Sequence, residues 1–150
     1  MSKQKEIRID LISVTGEDGA GGVGVDTGFP GTLAFGIYVN DHIAIEPQLS
    51  LKFFATYYVK GGFLGAGLFV PYYVAGDMGR TGFFVSPGLM LNKGVGDFDS
   101  EMLVDYGIDV GLKRAWKEHL TQRFALTLRD GDSHASIEYG VTAGIAFHWR

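Results

Sequence analysis

Nucleophilic chemistry is within reach of one grouping in this chain: His134, Ser136 and Glu138 could act as base, nucleophile and orienting acid. At i, i+2 and i+4 on an extended segment they stand on one face with about 7 Å between neighbours, beyond hydrogen-bond reach, so a polar rim is the plainer reading. Asp97, Asp99 and Glu101 in one segment, and Asp130, Asp132 and Ser133 in another, offer the oxygen ligands that Ca²⁺ takes. Neither follows the EF-hand order, and solvated loop carboxylates account for both. Residues 19–24 are glycine-rich but lack the Lys-Ser/Thr of a phosphate loop, which leaves a flexible outer loop. His42 and His148 have no ligand spacing, and the absence of cysteine removes disulfides and thiolate metal sites. Neither catalysis nor a cofactor or metal is expected.

Composition narrows the classes further. Gly occurs 23 times in 150 residues, about twice its usual share, yet 11 Phe, 7 Tyr and 2 Trp accompany it, which argues against low-complexity disorder. A net charge of −4 and a pI near 5.5 give no field for a polyanion, so no nucleic-acid partner is expected. The uncharged stretch 61–76 is shorter than the roughly 20 apolar residues of a spanning helix and is rich in Gly, Phe and Tyr. The first six residues, Met-Ser-Lys-Gln-Lys-Glu, lack the apolar core of a signal peptide. The expectation is a mature chain given a new Met, or one never exported.

The elements that must position these residues show in a period of two. Over 101–112 the even positions are Met102, Val104, Tyr106, Ile108, Val110 and Leu112, against Glu101, Leu103, Asp105, Gly107, Asp109 and Gly111. Over 137–149 the odd positions are Ile137, Tyr139, Val141, Ala143, Ile145, Phe147 and Trp149. The same alternation runs over 32–39, 43–53, 64–70, 83–91 and 120–128, and more weakly over 7–11. Eight strands in one domain, residues 1–150, follow, with no helix needed. Tight turns are expected at Asn40-Asp41, at 76–79 and at 115–117, and longer connections at 15–31, 55–60, 93–100 and 130–133. In an up-and-down meander this places the short turns and both termini at one end and the longer loops at the other.

Glycine identifies the inner face. Gly36, Gly65, Gly67, Gly88, Gly107, Gly111, Gly140 and Gly144 all share the polar parity; exposed in mid-strand they would weaken a sheet, whereas in a crowded lumen they leave room for long neighbours. Arg8, Lys52, Lys113, Arg123 and Arg129 share that face with Asp10, Glu46, Asp105, Asp109 and Glu138, a balance that permits the pairing a buried charge requires. The opposite face would meet lipid through Leu33, Phe35, Ile37, Ile45, Leu49, Leu68, Leu89, Tyr106, Ile108, Leu126, Val141 and Ile145. Tyr72, Phe83, Trp116 and Trp149 share the apolar parity near the short-turn end, as an interfacial belt would, with Tyr57 and Tyr58 at the other end. The reading is an all-β, antiparallel, up-and-down, eight-stranded transmembrane β-barrel.

On these residues the chain resembles the small eight-stranded outer-membrane barrel family, of the OmpX, OmpA and opacity-protein kind. The resemblance covers about residues 31–150, and its motif is the last strand: Thr142-Ala143-Gly144-Ile145-Ala146-Phe147-His148-Trp149, followed by Arg150. It implies a bacterial outer-membrane location, a monomer in the lipid bilayer, and an insertion signal in Gly144, Phe147 and Trp149 read by the insertion machinery. It also implies a structural role or interactions through the loops, with side chains filling the lumen. Alternatives are a soluble eight-stranded barrel holding an apolar ligand, a narrow pore, and an enzyme similar to the lipid A deacylases, which would need Ser136. Leu126→Arg is expected to impair membrane insertion by roughly 2 to 4 kcal/mol, measured as the folded fraction in lipid vesicles; insertion equal to the parent's would reverse the assignment of faces.

Overall fold

The computed structural model describes residues 4–17, 23–55, 60–75, 80–97, 99–132 and 137–149, without the side chains of residues 15, 17, 23–30 and 52–55. It contains β1 (Lys5–Glu17), β2 (Val23–Tyr38), β3 (Ala44–Ala55), β4 (Lys60–Phe69), β5 (Tyr72–Tyr73), β6 (Gly82–Gly96), β7 (Leu103–Lys117), β8 (Leu120–Gly131) and β9 (Glu138–Trp149). All pairings are antiparallel, in the order β4-β3-β2-β1-β9-β8-β7-β6-β5, and β4 also pairs with β6. That last pairing closes the sheet on itself and removes the free edges that β4 and β6 would present in an open sheet.

β4 and β5 are two pieces of a single stave, so the barrel has eight. The break falls at Pro71, which has no N–H to give. Neighbouring strands bridge the gap: Val70 N–H donates to Pro87 O at 2.9 Å, Ala44 N–H to Pro71 O at 3.1 Å, and Tyr73 N–H to His42 O at 2.7 Å. The turn joining β2 to β3 is held by Asn40, whose Oδ1 accepts from the N–H groups of His42 and Ile43, each at 2.8 Å.

The faces follow the alternation. Leu33, Leu49, Leu64, Leu68, Leu89, Leu126 and Val141 are exposed, while the largest fully buried side chains include Arg123, Tyr73, Phe69, Phe84, Lys113, Glu6 and Glu46. Inside-out polarity of this kind leaves the barrel's core in its lumen. Glycine makes that core possible: a Cβ on Gly88 would fall within the Phe69 ring, and one on Gly107 within the Arg129 side chain.

Several expectations about connections and strand ends are corrected; β6, for one, runs on to Gly96, inside the connection expected at 93–100. Residues 15–31 are not one long loop: β1 continues to Glu17 and β2 starts at Val23. A register shift between Asp10 and Ile12 turns Leu11 and Ile12 both outward, after which the outward parity changes and Val14 is exposed. The alternation over 7–11 therefore stops short at a bulge rather than at a strand end. The turn expected at 115–117 lies at residues 118–119, because β7 runs on through Trp116 to Lys117. Residues 76–79 and the tyrosines Tyr57 and Tyr58 lie outside the described residues.

Gly88→Val should destabilise the barrel by roughly 1 to 3 kcal/mol, since Phe69 and the adjacent backbone leave the new side chain no space. The midpoint of urea unfolding in detergent micelles measures this.

Candidate functional site

Charge is concentrated in the lumen, in two connected layers. Near the short-turn end, β1 supplies Glu6 and β7 supplies Lys113, directed inward by the same parity that sends Ile7 and Leu112 out. Lys113 Nζ donates to Glu6 Oε1 at 2.6 Å and Oε2 at 2.7 Å and to the Tyr73 hydroxyl at 3.0 Å. The Tyr38 hydroxyl donates to Glu6 Oε2 at 2.6 Å. His148 completes the layer, with Nδ1 at 2.9 Å from Gln4 Nε2 and 3.5 Å from Glu6 Oε2, and Nε2 at 3.0 Å from Thr121 Oγ1.

The second layer crosses mid-barrel. Arg8 pairs with Glu46, which also accepts from Gln48 Nε2 at 2.8 Å, and Arg8 Nε lies 3.3 Å from Asp10 Oδ1. Arg123 Nη2 donates to Asp109 Oδ2 at 2.7 Å, and Arg129 Nη2 lies 2.6 Å from Asp109 Oδ1. Asn92 donates to Asp105. Aromatic rings fill the remaining width: the guanidinium of Arg123 sits 4.7 Å over Phe84 and that of Arg129 4.9 Å over Phe69. Each buried charge therefore has an opposite charge or a polar group within reach, the condition for burial.

Of the lumen residues expected from sequence, Arg8, Asp10, Glu46, Asp105, Asp109, Lys113 and Arg123 are buried inside; Arg129 and Glu138 also point inward but are half-buried. The Lys52 side chain lies outside the described residues. Sequence reasoning left out Glu6, Tyr38, Tyr73 and His148 as members of the network. Glu6 has the parity of Arg8, and Tyr73 keeps the parity of Phe69 across the Pro71 break, so the alternation itself is the signal for both.

On the outside, Leu33, Ile45, Leu49, Leu68, Leu89, Tyr106, Leu126, Val141 and Ile145 are exposed, and Phe35, Ile37 and Ile108 partly so. Tyr72, Phe83 and Trp116 are half-exposed or more near the short-turn end. Trp149 stands beside them on the outer face, 5.8 Å from the Phe35 ring and 6.1 Å from that of Phe147. In the terminal motif Gly144 faces the lumen, where a Cβ would meet Asp10 Oδ1 at 2.6 Å, whereas Phe147 and Trp149 face out.

The loop carboxylates serve as turn acceptors. Asp97 Oδ2 accepts from Lys60 N–H at 2.6 Å, Asp130 from Gly131 N–H at 2.8 Å and the Tyr106 hydroxyl at 2.9 Å, and Asp132 from Val104 N–H at 3.2 Å. Among the described residues no three His, Asp or Glu are grouped to hold a metal ion. His134 and Ser136 lie outside the described residues, and Glu138 faces the lumen. At the short-turn mouth an open recess of about 330 Å³ is lined by Gln4, Arg80, Glu118, His119, His148 and Trp149.

No protein-family model and no curated protein sequence matches the chain. Solved structures do. Neisserial surface protein A is similar with a TM-score of 0.66 at 12 % identity, over 97 % of this chain and 94 % of that one. The N-terminal β-barrel domain of Pseudomonas aeruginosa OprF gives a TM-score of 0.66 at 16 % identity, over 99 % of this chain and all of that one. The chain has the fold of the small eight-stranded outer-membrane barrels. Ail, the attachment invasion locus protein of Yersinia pestis, crystallised with the heparin analogue sucrose octasulfate, shares it with a TM-score of 0.59 at 11 % identity over 99 % of this chain and all of that one. Identities this low show the shared barrel fold alone.

Lys113→Met should cost roughly 3 to 5 kcal/mol of stability by stranding the Glu6 carboxylate. Adding Glu6→Gln to Lys113→Met should recover part of the loss, and a double-mutant cycle on urea unfolding measures the coupling.

Proposed function

We propose that this chain is a monomeric, non-catalytic barrel of the bacterial outer membrane, with its lumen closed by side chains and its role structural or carried by the loops between β1 and β2, β3 and β4, β6 and β7, and β8 and β9. The observation that carries this reading is the reversal of polarity: Leu126 is 62 % exposed on β8 while its neighbours Ala125 and Thr127 and the ion-paired Arg123 are buried. Water would penalise such an outer face heavily, and a bilayer core favours it. A soluble binder of an apolar ligand requires the opposite arrangement.

The ion pairs spanning the lumen argue for a closed barrel over a narrow pore, since a conducting path would have to separate partners held at 2.6 to 2.7 Å. Gly144, Phe147 and Trp149 are then the signal for the insertion machinery. Loops with no transferable motif are where partner recognition would reside. Those of this chain carry Asp97, Asp99, Glu101, Asp130 and Asp132, so recognition of a polyanion, as Ail's crystallised ligand is, forms no part of the reading.

Electrophoresis of the refolded protein in mild detergent, unheated against boiled, tests the membrane barrel. A faster unheated band and a requirement for detergent or lipid are expected; a monodisperse protein in plain buffer would overturn the proposal. Planar-bilayer recording should show no stable conductance steps, and their appearance would replace the closed lumen with a pore.

A further inference from the structure

The outer face is not symmetric from end to end. At the short-turn end three cations point away from the lumen. Lys5 pairs in register with Ile37 on one side and Trp149 on the other, both outward positions. Arg114 lies opposite Gln122, on the parity of Leu112 and Phe124, and Lys117 opposite Leu120. All three are exposed, and among the described residues no hydrogen bond or ion pair engages their side chains. They border the aromatic belt of Phe83, Trp116, Phe147 and Trp149. Of the described acids at this end, Glu6 is buried in the lumen, and Asp41 and Glu118 lie in the turns and not on the outward strand positions. At the opposite end the sign is mixed: Lys60 and Lys93 are accompanied by Asp97, Asp99, Glu101, Asp130 and Asp132.

We propose that the short-turn rim, through Lys5, Arg114 and Lys117, binds the anionic headgroups of glycerophospholipids in the leaflet it faces. This inference rests on the membrane reading above. The argument is one of place and charge together. Cations directly bordering an apolar band project to the level where lipid phosphates lie, their methylene stems covering apolar surface while their charged ends reach the headgroups. Aromatic rings beside them fix that level. Each basic side chain near an anionic surface favours association, and here the three lack a competing protein partner among the described residues. A headgroup satisfies both halves of this surface at once, because its acyl chains continue along Leu112, Phe124 and Ile145 while its phosphate meets the cations.

The two tryptophans of the chain, Trp116 and Trp149, both lie at this rim, so their fluorescence reports on lipids there whichever way the barrel inserts into symmetric vesicles. The test reconstitutes the full chain in phosphatidylcholine vesicles and compares quenching by brominated phosphatidylglycerol with quenching by brominated phosphatidylcholine. The expected result is a preference for the anionic lipid of about fivefold at low salt, falling towards unity at high salt and in the combined Lys5→Gln, Arg114→Gln and Lys117→Gln variant. Should that variant fail to fold, Arg114→Gln alone should lower the preference by about twofold, and Lys93→Gln at the other end should leave it unchanged. Equal quenching by the two lipids in the parent, or a preference that survives the substitutions, would overturn the proposal. Absence of quenching by either lipid would reject the membrane reading and this inference with it.

Discussion

Charge neutralisation inside a narrow lumen is the constraint on which the rest of this barrel depends. Eight strands enclose a space just wide enough for side chains to fill, and this chain fills it with ionic groups: Asp109 lies between Arg123 and Arg129, Arg8 between Asp10 and Glu46, and Glu6 is held by Lys113 and Tyr38. Arg8 and Asp10 share β1, and Asp109 meets both arginines across the β7–β8 hairpin, but Glu6–Lys113 joins β1 to β7 and Arg8–Glu46 joins β1 to β3, so these two pairs form only once strands that are not neighbours have met. Closure of the sheet and formation of these cross-lumen pairs are thus one event. The pairing also sets the register, since a slip of one residue would turn each charge onto the apolar outer face.

The outer surface follows from that inner one. With alternate residues committed to the lumen, the remaining positions can be uniformly apolar, and closure between β4 and β6 satisfies the backbone groups that an open sheet would expose. Glycine links the two surfaces. Gly88 and Gly107 surrender their own side-chain space to Phe69 and Arg129, which lets bulky inner groups lie flat against the wall while the outer alternation continues undisturbed.

Much of this was legible from residue order because a period of two is a local property, and the polar position of eight mid-strand glycines already told inside from outside. What escaped notice depended on nonlocal geometry. The adjacent apolar pair Leu11 and Ile12 marks a bulge, but only the pairing of β1 with β9 shows that the strand resumes beyond it with the parity changed. Likewise, nothing in Ala115-Trp116-Lys117 distinguishes a turn from the end of a long strand, and only the structure shows β7 carrying Trp116 to the rim. Glu6 is hidden for a simpler reason: it precedes Ile7, the first apolar residue of the weak alternation over 7–11. His148 looked solitary in sequence, and its partners Gln4 and Thr121 come from the opposite chain end and from β8.

The chain contains no cysteine, which permits the most direct test of which face meets lipid. Single cysteines placed in turn at positions 123 to 128 of β8, each carrying a nitroxide label, can be read by electron paramagnetic resonance in lipid vesicles with oxygen and with a water-soluble nickel complex as relaxing agents. The account predicts high oxygen accessibility at 124, 126 and 128 and low accessibility to both agents at 123, 125 and 127. Nickel accessibility at 124, 126 and 128 equal to that of an exposed loop, or oxygen maxima at the odd positions, would contradict it.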